Sequence, residues 1–325
     1  MENNTNKMTR RSQKHNKKGK KRGRGCLWFF LILLLLGAGI IAYGYFELRQ
    51  TSNTIHSDSG EETMKHASRE NQDIDLSGDD PFSILLLGID TGDMGRVDRG
   101  RSDTVMVMTV NPNTDQTTLV SIPRDTYTEI VGRGTQDKIN HAYAFGGPSM
   151  AINTVQNFLD IPIDYYVSVN MQGIQQIVDA VGGITLTASS SFSQSGYSFV
   201  EGDKTQMDGA KALAYSRMRK DDGDYARQGR QREVVLATVD KISSFNTILN
   251  YQSVLKTMED NVMTNMVFDE MVNIFLNYQD AINNIEEVQI NGSGTMMSGV
   301  YYEITSDEEI NSISQQLRSE LEINE

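Results

Sequence analysis

Residues 26–46, CLWFFLILLLLGAGIIAYGYF, run for 21 positions without a charged side chain. About 20 apolar residues are what a helix needs to cross a hydrocarbon layer of ~30 Å. The run is apolar on every face, unlike a core helix with one buried stripe. It is also long for a cleaved signal peptide, and no small-x-small pattern follows it. The 25 residues ahead of it carry ten Lys/Arg and one Glu. Basic residues beside a first membrane helix hold that flank in the cytoplasm. The sequence therefore predicts a basic cytoplasmic arm (1–25), a transmembrane signal anchor (26–46) and an extracellular remainder, a single-pass type II protein of the cell membrane.

That exported part has a different chemistry. From Cys26 onward there are 20 Lys/Arg against 42 Asp/Glu, and Cys26 is the only cysteine. No internal disulfide can form, and a domain of this size buries enough apolar surface without one. Residues 47–80 are polar with little periodicity and read as an extracellular stalk in which His56 and His66 are solvated. The compact domain, 81–325, opens at Pro81. PFSILLLGID (81–90) is a buried strand that exits at Asp90. TVMVMTV (104–110) and TTLVSI (117–122) form a hairpin around NPNTDQ. Helices are expected at 148–159, 171–183, 207–215 and 225–244 and through residue 280. Strands are expected at 163–169 and 184–188. EEVQI and VYYEIT should close the sheet, and Ser306 should cap a last helix. The fold class is α/β: an α-β-α sandwich with a central mixed β-sheet.

Several chemistries are excluded. The domain has one histidine, His141, and no G-x-S-x-G elbow accompanies it. No His/Cys cluster suits zinc, and there is no G-x-x-x-x-G-K-[ST] loop. Carboxylates and guanidiniums remain. Thirteen arginines follow residue 46, and ten of them fall within 96–133 and 217–232. A guanidinium pairs two phosphate oxygens at once, which an ammonium does not. Paired surface charge is the bland alternative, and it suits Arg96, Arg99 and Arg133.

The helix from Tyr225 tests the sharper reading. Its apolar stripe, Val235, Val239 and Ile242, extends backward through Gln231 to Arg227. Those two side chains then lie on the buried side, near a helix N-terminus that favours anions. Arg230 lies about 60° round and Arg232 further, so their claims are weaker; Asp221, Asp222, Arg232 and Glu233 read as surface charge. Arg217 and Arg219 flank Met218 and would share one side of extended chain. With Arg227 they suit a diphosphate. Asp90 and Asp103, at an exit and an entry of neighbouring strands, either cap turns or form a Mg²⁺ site with phosphate oxygens. Arg101 precedes the second aspartate, and Arg124 stands at a loop edge in SIPRDTY with Asp125 beside it.

LLLGID, RSDTVMVMTVNP, VSIPRDTY, KINHAYAFGG, the Arg-x-Arg of Arg217 and Arg219, and D-x-x-R-x-x-R-Q at 224–231 together resemble the LytR–CpsA–Psr proteins. The likeness runs from Pro81 almost to the end and looks closest to the wall teichoic acid ligases of Gram-positive bacteria. It implies transfer of a glycopolymer phosphate from a polyprenyl-pyrophosphate carrier to the N-acetylmuramic acid hydroxyl of peptidoglycan, with release of polyprenyl phosphate. It also implies Asp90 and Asp103 as ligands of Mg²⁺ (or Mn²⁺), and Arg101, Arg124, Arg217, Arg219, Arg227 and Gln231 around the pyrophosphate. Arg101 is preferred to Arg99. Asp224 is either the base for the sugar hydroxyl or an N-cap. The Met- and Leu-rich stretch 250–280 is either core or the lining of a prenyl channel. Alternative readings are a polyprenyl-pyrophosphate hydrolase and a non-catalytic envelope regulator. The arginine clusters lie outside the membrane, so no nucleic-acid partner is expected.

Overall fold

The computed structural model describes residues 56–57, 63–70, 73–91, 100–218, 223–243 and 261–323. The chain divides into two units, Met1–Phe46 and Glu47–Glu325, and all described residues belong to the second. The basic arm, the 26–46 run, Arg96, Arg99, Arg219, Asp221 and Asp222 lie outside them. Among the described residues no helix is long and apolar enough to cross a membrane.

Among the described residues six strands make the central sheet: β1 (Phe82–Ile89), β2 (Ser102–Asn111), β3 (Gln116–Ile122), β6 (Tyr165–Asn170), β11 (Val262–Thr264) and β12 (Ile285–Gln289), in the order β11-β6-β1-β2-β3-β12. β1 pairs in parallel with β6 and β3 with β12, while the other pairs are antiparallel. The sheet is mixed, as expected. β1, β2 and β3 are rich in Val, Ile, Leu and Met on both faces because both faces are covered. On one side Leu85, Leu87, Val105, Val107 and Val120 pack with Ile152 and Val155 of helix α1 (His141–Leu159) and with Ile313 and Leu317 of the C-terminal helix Asp307–Glu320. On the other, Phe82, Ile84 and Val110 pack with Met266, Tyr278 and Ala281, joined by Met271 and Ile274 of Phe268–Asn277. Each side chain of this size that is fully buried contributes about 1.5–3 kcal/mol.

Smaller hairpins decorate this frame: β4 (Tyr127–Ile130) with β5 (Thr135–Lys138), β7 (Ile184–Thr187) with β10 (Lys204–Met207), β8 (Phe192–Gln194) with β9 (Tyr197–Phe199), and β13 (Ser293–Met297) with β14 (Val300–Ile304). Helices α2 (Met171–Ala180), α3 (Gly209–Arg217) and α4 (Gly223–Ser243) form a second core with them, around Val178, Met207, Ala214, Tyr215 and Val234. The chain-order names of the remaining helices are α5 (Phe268–Asn277), α6 (Gln279–Ile282) and α7 (Asp307–Glu320). Ser306 caps α7 by accepting from Glu309 N, as its position foretold.

Two expectations are corrected. VYYEIT does not close the sheet: among the described residues β14 pairs with β13 and forms a single bridge to Thr126, leaving β12 as the edge of the six-stranded sheet. Nor is the described part of 47–80 a solvated stalk. The Arg69 side chain donates to Pro81 O at 2.8 Å and lies 3.4 Å from Asp164, both side chains being buried. Met64 exchanges hydrogen bonds with Asn153 and Gln156 of α1, and Leu76 enters the core. His66 caps a short 3-10 turn and faces Asp160 at 3.4 Å. Alternating polar residues gave no hint of this strap, because its contacts are mostly single hydrogen bonds to distant partners.

Candidate active site

The site grows from an irregularity in the β1–β2 ladder. Gly88 pairs with Thr104 and Ile89 with Ser102, so Asp103 is one residue too many. Such a bulge re-aims the extra side chain and bends its strand. Gly88 is needed there, since a Cβ would stand 2.8 Å from Thr104 Cβ. Just beyond, Asp90 N donates to Arg101 O at 2.9 Å, holding the end of β1 against the start of β2. Asp90, Arg101 and Asp103 are thereby gathered at one end of adjacent strands, with the Arg101 side chain exposed.

Arg124, in the turn after β3, faces this end. Its Nη1 donates to Asp103 Oδ1 at 2.9 Å, and its Nε lies 3.6 Å from Asp125 and 3.7 Å from Asp224. Burial alone would lower the Arg124 pKa; the charges of Asp103, Asp224 and Asp125 outweigh it and hold the guanidinium above its ordinary value. Lys138 of β5 closes the group with a 2.8 Å contact to Asp125.

The N-terminal turns of α4 supply the other wall. Arg227 is 1% exposed, and its Nη2 lies 2.6 Å from Asp224 Oδ1. Asp224 sits inside the first turn and also accepts a hydrogen bond from Gln228 Nε2 at 3.1 Å. The N-cap alternative for it therefore fails: its carboxylate bridges Arg124, Arg227 and Gln228. Gln231 lies half-buried on the same helix, and its Oε1 accepts no hydrogen bond among the described residues. Arg217 ends α3 as an exposed helical residue, not as extended chain, and Met218 after it is extended.

The inward aim of Arg227 was read correctly, though the stripe behind it was misplaced. Val234, not Val235, is buried, and Ile242 is exposed. Arg230, given the weaker claim, is also 1% exposed. Its guanidinium donates to Met218 O at 2.8 Å and lies over the Phe192 ring at 5.1 Å, so it fastens α4 to the loop after α3. Arg232 and Glu233 are not surface charge. Arg232 donates to Ser121, Gln289 and Glu287, and Glu233 accepts from Tyr215 at 2.5 Å. Gln228, Gln289 and Glu303 were missed by sequence reasoning. Gln228 alone left a signal, standing one helical turn after Asp224.

Among the described residues, no group of three or more His, Cys, Asp or Glu side chains forms a metal cage. Two carboxylates on neighbouring strand ends nonetheless fit a hard cation that draws its other ligands from phosphate oxygens and water. His141 pairs with Asp137 at 2.9 Å instead of joining this group.

This chain, a mixed α/β fold with Arg124 after a strand and buried Arg227 on a helix meeting at Asp224, belongs to the LytR_cpsA_psr family, whose sequence profile matches residues 42–319. A protein of Enterococcus faecalis named polyisoprenyl-teichoic acid–peptidoglycan teichoic acid transferase TagU is 46% identical over 306 residues, covering 94% of this chain and 98% of that one. The crystal structure of Bacillus subtilis TagU aligns with 44% identity and a TM-score of 0.62 over 76% of this chain and 99% of that one. TagT bound to LIIa-WTA aligns with 29% identity and a TM-score of 0.69, over 82% and 100% of the two chains.

Proposed function

We propose that this chain is a phosphotransferase that moves a teichoic acid phosphate from a polyprenyl-pyrophosphate carrier to a hydroxyl of peptidoglycan. The carrying observation is the Arg124–Asp224–Arg227 cluster, with its 2.6 Å and 3.7 Å contacts to one carboxylate, in a chain whose relative of that name is nearly half identical. The acceptor hydroxyl oxygen bonds to the phosphorus bearing the polymer, the bond from that phosphorus to the bridging oxygen breaks, and polyprenyl phosphate leaves. Charge builds on the non-bridging oxygens and the leaving phosphate, and preorganised donors stabilise it where water is excluded. Arg124, Arg227 and Gln231 take those oxygens from the inner side and Arg101 and Arg217 from the open side; Arg219, outside the described residues, belongs to the same set. Asp224, bridging Arg124 and Arg227, receives the hydroxyl proton. Asp90 and Asp103 would hold Mg²⁺ or Mn²⁺, which would supply further charge neutralisation.

The uncharged run 26–46 behind a basic arm supports anchorage in the cell membrane with the catalytic domain outside. A reporter fused after residue 325 should be active only outside; activity only in the cytoplasm rejects this topology. Purified protein given lipid-linked teichoic acid and peptidoglycan should form the phosphodiester and release lipid phosphate, and a chelator should stop it. Release of lipid phosphate without any linked product would replace transfer by hydrolysis.

A further inference from the structure

The β13–β14 hairpin stands outside the central sheet yet touches the site. Its register sets Met296 opposite Tyr301 and Gly294 opposite Glu303. Opposed residues share a face, and alternation puts these four on the same one. Glu303 defines what that face meets. Its carboxyl group is buried, and its side-chain partners among the described residues are two phenols, Tyr225 and Tyr301, each donating at 2.5 Å. Tyr225 adjoins Asp224 on α4. Glu303 N donates to Asp125 O at 2.9 Å, fastening the hairpin to the Arg124 turn.

Beyond Glu303 the same face opens to solvent. Tyr301 is 45% exposed and Met296 63%. The Tyr301 ring lies across Gly294, where a Cβ would come within 2.6 Å of its hydroxyl oxygen and 2.8 Å of the ring, so glycine is what lets the ring lie flat. The hydrogen bond to Glu303, burial, and the nearby charges of Glu303, Asp125 and Asp224 raise the Tyr301 pKa to about 12. The hydroxyl stays a donor to Glu303, the residue tied to the site by the Asp125 carbonyl and the Tyr225 hydroxyl.

We propose that this face, Tyr301 and Met296 with the half-exposed Tyr225 ring, seats the acceptor: a neutral pyranose of the glycan strand, its hydroxyls turned to Asp125 and Asp224. The inference rests on the transferase reading. Charge separates the two substrates. The arginines favour the pyrophosphate, whereas an apolar, aromatic shelf edged by Asp125 and Asp224 offers a neutral sugar a stacking face and acceptors for its hydroxyls. A prenyl chain would gain nothing from those carboxylates.

The test follows transfer to peptidoglycan oligosaccharides with lipid-linked donor. Tyr301→Ala should raise the acceptor KM about tenfold, the upper reach of one aromatic contact, while the donor KM stays within about twofold. Tyr301→Phe keeps the ring and should keep most acceptor affinity. Val300→Ala, on the opposite face of the hairpin, should change neither constant. An unchanged acceptor KM in Tyr301→Ala, or a raised donor KM in its place, overturns the shelf. Direct titration of the oligosaccharide into the wild-type protein and Tyr301→Ala needs no turnover: equal affinities overturn the shelf alone. Wild-type protein that consumes donor only with water overturns the transferase reading and the acceptor seat with it.

Discussion

Arg227 holds a permanent positive charge almost wholly out of water, 2.6 Å from Asp224. A guanidinium so enclosed acts on a substrate oxygen with little screening by solvent. Arg227→Ala should therefore lower kcat/KM for transfer by about 10²–10³-fold. Arg227→Lys should recover only part of this, because an ammonium lacks the planar fork. Asp103 is mostly buried but sits in a strand bulge at the sheet's end, so Asp103→Ala should abolish transfer while circular dichroism and the unfolding transition persist. Retention of full activity by both Arg227→Ala and Asp103→Ala would reject the site. These two positions were legible in sequence: the first from helix register, the second from its place at a strand entry. Glu303 and Gln289 were not, because each reaches α4 from a late strand and nothing local distinguishes such a residue from ordinary polar edge chemistry.

The β1–β2 ladder, with its extra residue, ties the core to the site. Gly88→Ala would press against Thr104 Cβ at 2.8 Å, beside Asp103. Overpacking of this kind costs about 1–3 kcal/mol. Urea unfolding should show that loss, and transfer should fall further than the loss of folded protein accounts for, since the bulge must shift. β1, β2 and β3 were readable nearly to their ends because dense β-branched and apolar runs mark them. The partner of VYYEI was not: alternation identifies a strand and its faces, while pairing depends on what else lies within reach. The same limit explains why the strap before Pro81 read as a stalk. Its hold comes from Arg69, Met64 and Leu76 acting singly, with no periodic pattern among them.

Across the domain that strap has a measurable role. A chain beginning at residue 81 would leave Asp164 buried without Arg69, and breaking a buried pair costs about 3–5 kcal/mol. At ~2–4 °C per kcal/mol for a domain of this size, its Tm should fall by about 10 °C relative to one beginning at residue 56. Alkali probes the fold elsewhere. Burial, then Asp80 and Asp75, raise the Tyr278 pKa from 10.0 to about 12. The folded state holds that proton more tightly, so the contribution is full below pH 10 and is lost as pH climbs through about 12. Tyr278→Phe should flatten this alkaline limb in a series of Tm values against pH. The edge pairing of β12 with β3 has a further consequence, in time. Gln289 meets Ser121 across 168 residues of chain, so a polypeptide made from its N-terminus keeps the β3 edge open until nearly all of it has emerged. Distant pairings slow folding, and open edges recruit other chains. Pulse-labelled hydrogen exchange during refolding should find the β12 amides protected after those of the β1–β2–β3 meander, with aggregation confined to the interval between.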